Sequence, residues 1–283
     1  MTRATLAGVS IGDGIDVAVV GAINVSPESF YSGSVVLDGE RLLRTGLAMA
    51  RAGAAWLDVG AMSTAPYLAA RIPEAQEAER LHWAVGLLAA KVDLPISADV
   101  SRGGPARAAL EAGARIVNDV TGLVGDPALA ALVARSGAGL VLMASPATAA
   151  GGAEPIQAVT LSLGRSLALA RAAGVPDASV VLDPGIGFFR GEAVAWPEWD
   201  CRVLAGLPAL RSLGRPLLVG VSRKSFIGAL AGVEDPAERL PGTLAATAAA
   251  VLGGAHVIRA HDVAETLQAV RIAQAIRRAR PGA

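Results

Sequence analysis

The 283-residue sequence contains a single cysteine, Cys201. One thiol excludes an intrachain disulfide framework and any zinc site built on paired thiolates, and Cys201 is expected to serve as a small buried hydrophobe. Charge is also scarce: 18% of residues are Asp, Glu, Lys or Arg, and 25 basic side chains balance 25 acidic ones. No basic field is left to hold a nucleic-acid backbone, so no nucleic-acid partner is expected. Apolar windows are broken by Gly, Asp or Arg well short of the roughly 18 residues a membrane span needs. The opening segment MTRATLAGVSIGDGID lacks a basic stretch followed by a continuous apolar one. A soluble, cytoplasmic protein is the expectation.

What the chain does have is 53% hydrophobic residues in a repeating order. Short continuous apolar runs fall at 17–23, 55–60, 95–99, 115–119, 139–143, 179–183, 217–222 and 256–261. Continuous rather than alternating runs indicate parallel strands covered on both faces. Between them lie Ala/Leu-rich stretches of helical period at 38–53, 74–91, 104–113, 126–136, 155–174, 199–213, 237–253 and 263–279. Gly53, Gly113, Gly137, Gly174 and Gly214 stand where left-handed helix ends are needed. Eight strands alternating with eight helices predict an α/β fold, a (β/α)8 TIM barrel in one domain, with a doubly wound open sheet as the alternative. Residues 5–15, turning at Gly12-Asp13-Gly14, are expected to form a hairpin closing the barrel bottom.

In such a barrel the chemistry sits at the C-terminal ends of the strands. Those ends carry Asn24, Asp58, Asp99, Asn118 and Asp119, Asp183, Arg223 and Lys224, and Arg259 and His261, whereas the fifth strand ends in the nearly bare Met143-Ala144-Ser145. For a lone Asp in such a position the plain reading is a capping or loop residue, and Asp58 and Asp119 are read as structural. Convergence of the whole set on one mouth reads instead as a polar pocket. Asp99, Asn118 and Asp183 suit the amidine-like edge of a flat nitrogen-rich ring, with Lys224 donating from the rim. Asn24, Arg259 and His261 suit a phosphate or diphosphate, with Mg2+ reached through the Asn24 oxygen. His82, His256, Trp196, Trp199 and the terminal RRARPGA are assigned to packing or to solvent. DPGIGFFRG lacks the Lys-Ser/Thr pair of a nucleotide cradle.

The segments GAINVSPESFYSGSV, NDVTGL, LDPGIGFF, VGVSRKSFIG and ERLPGTLAATAAAVLGGAHVIRAHDVAET, in that order, resemble the dihydropteroate synthase family of pterin-binding barrels. The resemblance implies attack by an arylamine nitrogen on the methylene of (7,8-dihydropterin-6-yl)methyl diphosphate, with release of pyrophosphate. It implies pterin contacts at Asp99, Asn118, Asp183 and Lys224, and contacts to pyrophosphate and magnesium at Asn24, Arg259 and His261. Thr64, Phe188 and Ser225 fall where the arylamine packs, and a homodimer through the late helices is expected. The sequence departs from the family pattern in several places: Ala65 stands where Arg is usual, Val100 follows Asp99, and Phe189 follows Phe188. The forms SPESFY and MSTAPY are similar to a branch that makes tetrahydromethanopterin, where the amine is a ribofuranosyl-aminobenzene phosphate rather than p-aminobenzoate. The competing readings are a pterin-dependent methyltransferase and a non-catalytic pterin-binding protein. Retention of Arg259 and His261 favours the synthase.

Overall fold

The structure is a computed structural model that describes residues 2–26, 36, 38–63, 72–149, 154–191 and 194–279. Its centre is an eight-stranded parallel sheet of β3 (Ala18–Asn24), β4 (Trp56–Gly60), β5 (Ile96–Asp99), β6 (Ile116–Asp119), β7 (Gly139–Met143), β8 (Val180–Asp183), β9 (Leu218–Gly220) and β10 (Val257–Ala260). The strands follow the order β8-β7-β6-β5-β4-β3-β10-β9. A parallel bridge between Leu182 and Leu217 brings β8 and β9 together, with the Leu182 amide donating to the Pro216 carbonyl at 2.9 Å. The result is the expected nearly closed barrel, not an open sheet. Around it run α1 (Gly39–Ala52), α2 (Glu74–Ala89), α3 (Gly103–Glu111), α4 (Pro127–Ser136), α5 (Pro155–Ala172), α6 (Trp196–Gly206), α7 (Ser225–Ala231), α8 (Leu240–Leu252) and α9 (Val263–Arg278).

Side chains of a strand alternate between its two faces. The odd-even parity here assigns Leu57, Val59, Ala98, Val117, Leu140, Leu142, Leu182, Val219 and Ile258 to the buried layer under the helices. The opposite parity lines the interior in two levels. The lower level is apolar: Val20, Trp56, Ile116, Val141, Val181, Leu218 and Val257 form one buried cluster. Two residues further along those strands stand Ala22, Asp58, Asn118, Met143, Asp183, Gly220 and Arg259. The same parity that gives the barrel a dry floor therefore gives it a polar upper storey.

The floor is sealed by an antiparallel hairpin, β1 (Arg3–Leu6) and β2 (Val9–Gly12), whose Ala4, Leu6 and Ile11 join the lower cluster. Its place agrees with the sequence reading and its turn does not. Leu6 pairs with Val9, so the turn is Ala7-Gly8, with φ of 46° and 86°, the two left-handed residues that a tight hairpin favours. Gly12 lies at the exit instead, where an added Cβ would meet the Thr2 carbonyl oxygen at 2.2 Å.

All five glycines assigned to helix ends have positive φ. The stretch read as one helix over 199–213 is α6, begun earlier at Trp196 and followed by a 3-10 segment over Leu207–Leu213. The short α7 has no counterpart in the sequence reading; its seven residues are too few to show a helical period. Cys201 is exposed on α6, which corrects the expectation of a buried thiol. Its neighbours Asp200 and Val203 take the buried positions of that helix instead. The Arg277 side chain donates to the carbonyls of Val251 and Ala255 at 3.0 and 3.4 Å, and Arg278 pairs with Asp16. The start of the terminal RRARPGA is thus anchored rather than frayed. No helix among the described residues is long and apolar enough to cross a membrane.

Candidate active site

The upper storey of the barrel is organised by one cation. Arg259, on β10, donates from Nε to Asp58 Oδ2 at 2.5 Å and from Nη2 to Asp99 Oδ2 at 2.9 Å. Asn118 Nδ2 donates to the same Asp58 oxygen at 3.1 Å. Four strands are tied across the interior by these bonds. Asp58 Oδ1 and Asp99 Oδ1 are buried and have no hydrogen-bond partner among the described residues. A buried carboxylate oxygen without a donor is costly, so both point to something that supplies N–H groups.

Charge and burial compete at each group. Burial, reinforced by the Asp58 charge, raises the Asp99 pKa to about 7 against the pull of Arg259. Burial works against the Arg259 cation too, but the carboxylates of Asp58 and Asp99 win and push its pKa above the usual value. Asp183, at the end of β8, is raised by burial despite Lys224 and despite the Gly185 amide that donates to its Oδ1 at 2.8 Å. Lys224 is lowered to about 8 by burial, with Asp183 and then Asp200 opposing. Its Nζ donates to the Ile186 carbonyl and lies 4.8 Å from the centre of the Phe188 ring. Burial and then the Arg259 charge lower His261 to about 3. It is a neutral imidazole whose Nδ1 is 2.9 Å from Ser222 Oγ.

Asn24 joins this group from β3. A Cβ added at Gly60, its partner in the sheet, would lie 3.5 Å from Asn24 Oδ1 and 3.7 Å from Asp99 Oδ2. Two oxygen donors therefore border one small space that glycine leaves open. Asn24, Asp99, Asn118, Asp183, Lys224, Phe188, Arg259 and His261 stand at one mouth. Ser225 opens α7 and accepts from Arg190 Nη2 at 2.7 Å. Thr64 lies outside the described residues.

The model of the pterin binding enzyme family matches residues 20–261. A dihydropteroate synthase of Mycobacterium leprae is 39% identical over 268 residues, which cover 90% of this chain and 92% of that one. This chain is a member of the dihydropteroate synthase family. With that family it is an enzyme of the transferase class. Two solved structures bear the same relation. A dihydropteroate synthase from Coxiella burnetii in complex with pteroic acid superposes with a TM-score of 0.85 at 32% identity, covering 98% of this chain and 99% of that one. One from Xanthomonas albilineans with 4-aminobenzoic acid superposes at 0.86 with 35% identity, covering 99% of each chain.

Within this dihydropteroate synthase frame, two of the adjacent strand-end residues separate by parity. Asn118 faces inward, whereas Asp119 faces the helices and accepts from the Thr121 amide, the Thr121 hydroxyl and the Leu123 amide at 2.9, 2.7 and 2.5 Å. Asp119 holds the β6–α4 loop, the structural role that the sequence suggests, while Asp126 caps α4. Asp58 instead faces the interior, where it is the shared acceptor of Arg259 and Asn118. The signal was available, since Asp58 shares the parity of Trp56, which the apolar floor requires to face inward.

Arg223 and Lys224, adjacent in sequence, also part company. Arg223 adopts φ 54°, turns away from the mouth and forms a two-pronged pair with Asp262 at 2.9 Å on both prongs. Its Nη1 donates to the Pro236 and Ala237 carbonyls at 2.8 and 2.6 Å. One cation of the pair locks the loop so that the other can project from it. The bare end of β7 is self-contained: the Ser145 amide donates to Ser162 Oγ at 2.9 Å and the Thr148 hydroxyl to the Ser145 carbonyl at 3.1 Å. His256 accepts from the Leu217 amide at 3.1 Å, and Trp199 stacks on Phe189 at 5.0 Å, both as packing residues.

Proposed function

We propose that the mouth binds a pterin bearing a methyl diphosphate and joins its methylene carbon to the nitrogen of an arylamine, with p-aminobenzoate as the amine, in folate synthesis. The observation that carries the reading is the set of buried acceptors Asp58, Asp99, Asn118 and Asp183 facing Lys224 and Arg259 across one barrel. A pterin presents adjacent N–H donors and a carbonyl along one edge. The partnerless oxygens of Asp58 and Asp99 suit the donors, and Lys224 suits the carbonyl or a ring nitrogen.

In the reaction the methylene C–O bond breaks, its electron pair leaves with pyrophosphate, and the amine nitrogen forms the new C–N bond and then loses a proton. Positive charge spreads over the pterin ring as the bond breaks. Asp99 and Asp183 are placed to stabilise that charge, and low dielectric strengthens the effect. Arg259, anchored by two carboxylates, supports the departing pyrophosphate together with neutral His261. Phe188 and Ser225 border the amine, with Thr64 assigned there by family pattern alone.

Magnesium fits these residues. It takes one or two protein oxygens and fills its shell from water and substrate phosphate, and the Asn24 and Asp99 oxygens beside Gly60 meet that need. When bound it would neutralise pyrophosphate charge. The ion is thus assigned to Asn24, with no cluster of three His, Cys, Asp or Glu side chains among the described residues to compete for it. We also assign a homodimer: Ile272 and Ile276, one turn apart on α9, are 65% and 51% exposed, an apolar strip that a second copy would cover. A cytoplasmic location accords with such a role.

The test is incubation of the purified protein with the pterin diphosphate, magnesium and each candidate amine, with the product identified by mass. Product from p-aminobenzoate supports the reading. Product from the ribosylated amine alone would place the chain in the tetrahydromethanopterin branch, whose sequence markers fall mostly at 27–31 and 64–67, outside the described residues. Pterin binding without product from any amine would favour the methyltransferase or binding-protein readings. Asp183→Asn or Lys224→Ala should abolish pterin binding in titration calorimetry.

A further inference from the structure

One peptide group beside Lys224 is held on both of its edges. The Ile186 carbonyl accepts from Lys224 Nζ, and the Gly187 amide, on the opposite edge of the same plane, donates to Asp200 Oδ1 at 2.8 Å. Asp200 stands on α6, is fully buried, and its Oδ2 has no hydrogen-bond partner among the described residues. An apolar side chain would fill that place at a lower cost in desolvation, so packing alone does not account for a carboxylate there. Burial raises the Asp200 pKa, and the Gly187 amide, Lys224 and Arg190 oppose the rise in that order. The influence runs both ways: burial and Arg259 work against the Lys224 cation, while Asp183, Asp200 and Asp99 favour it.

The backbone is shaped for this bridge. Gly185 and Gly187 have φ of 76° and 84°, a region open to glycine, and a Cβ on Gly187 would come within 3.0 Å of Lys224 Cδ. The lysine stem therefore lies against a bare Cα. A carboxylate that accepts the N–H polarises the amide and strengthens its carbonyl as an acceptor, and a desolvated setting enlarges the effect.

We propose that Asp200 is a positioning residue for the pterin site, fixing the Ile186–Gly187 peptide so that Lys224 Nζ is held at the mouth as a cation. This rests on the pterin reading above and extends it to a residue that touches no substrate. When a pterin carbonyl or ring nitrogen takes the ammonium, the peptide keeps its place, because Asp200 still holds its other edge.

The experiment is titration calorimetry of hydroxymethyl pterin against the wild type, Asp200→Asn and Asp200→Ala, repeated across the alkaline range. Asn keeps an acceptor for the Gly187 amide and drops the charge, whereas Ala drops both. Asp200→Ala should weaken pterin binding by about ten- to a hundredfold, the loss expected when a charge-assisted hydrogen bond is removed. Asp200→Asn should return the affinity to within about threefold of wild type at the pH of tightest binding. Its alkaline limb should nevertheless move down by about half a pH unit to one unit, since Lys224 loses a charge that favours its cation. Ionisation of the ligand is common to all three proteins, so a displacement between them belongs to the enzyme. A merely structural carboxyl would be replaced by Asn with the limb left where it was. An unmoved limb in Asp200→Asn, or wild-type affinity in Asp200→Ala, would overturn the proposal, and the Asn variant decides alone if the Ala variant does not fold. Wild-type protein that binds no pterin would overturn the reading of the mouth itself, a failure seen before any variant is compared.

Discussion

Arg259 and Asp99 face each other across the barrel from β10 and β5, with Nη2 and Oδ2 2.9 Å apart. Neither strand neighbours the other in the sheet, so the pair spans the interior and is desolvated on all sides but the mouth. Removing one partner of a buried pair leaves an uncompensated charge, which costs about 3–5 kcal/mol. Arg259→Met leaves two carboxylates, Asp58 and Asp99, without their shared cation. It should destabilise the fold by an amount in that range, read as a lower urea midpoint with an unchanged slope. In binding assays the same variant should weaken the diphosphate substrate far more than the hydroxymethyl pterin. Equal weakening would contradict the role assigned to Arg259.

The pH dependence of kcat/KM should be narrow. Asp99 must be a carboxylate to accept pterin N–H groups, and burial with the Asp58 charge sets its pKa at about 7. Lys224 must be charged to donate, and burial sets it at about 8. Activity should fall below the first value and above the second, giving a bell centred between them. Because the groups feel one another, the limbs report the cluster rather than either residue alone. Asp99 also leaves a mark on stability. Its folded pKa is raised, so its contribution is fully present below the unfolded value near 3.8 and is lost as pH rises through about 7. Denaturation of the wild type and Asp99→Asn across pH 4 to about 8 should show the difference between them shifting against the wild type as pH rises. A flat difference would rule out the raised carboxyl.

Much of this architecture was legible in the chain itself. The eight apolar runs matched strands to within two residues because each is buried on both faces, and all but the fifth end close to a charged or amide side chain. Strand parity decides what the apolar runs alone do not. Applied to Trp56-Leu57-Asp58 and to Asn118-Asp119, it separates the interior acid from the capping one. The hairpin turn was misplaced because Gly12-Asp13-Gly14 has turn chemistry, whereas register is set by the apolar Ala4, Leu6 and Ile11 seeking the barrel floor. The opposite directions of Arg223 and Lys224 depend on the left-handed backbone at Arg223 and on the distant Asp262, and no local pattern announces either.

The hairpin offers a test that separates stability from chemistry. Leu6 is fully buried among the floor residues and packs where a Cβ on Gly139 would come within 2.7 Å of its Cγ. Leu6→Ala opens a cavity at the end of the barrel opposite the mouth. The expected cost is about 2–5 kcal/mol, with kcat/KM at low temperature within about twofold of wild type. A large loss of activity without loss of stability would mean that the floor is coupled to the site.

Glu77 on α2 and Arg102 at the start of α3 form a further, partly buried ion pair. Arg102 Nε donates to Glu77 Oε2 at 2.6 Å, its Nη1 donates to the Ile72 carbonyl at 3.1 Å, and its Nη2 lies 3.6 Å from Met62 Sδ. One guanidinium thus grips both flanks of the β4–α2 connection that carries Thr64. Glu77 is 1% exposed, and burial raises its pKa despite Arg102, so the carboxylate is tolerated only because the cation is there. Arg102→Ala should cost about 3–5 kcal/mol. The double variant Glu77→Gln/Arg102→Met, which removes both charges, should recover a large part of that loss. A urea-denaturation cycle over the wild type, both single variants and the double variant reads the coupling directly. Additive losses would show that the two side chains are not coupled.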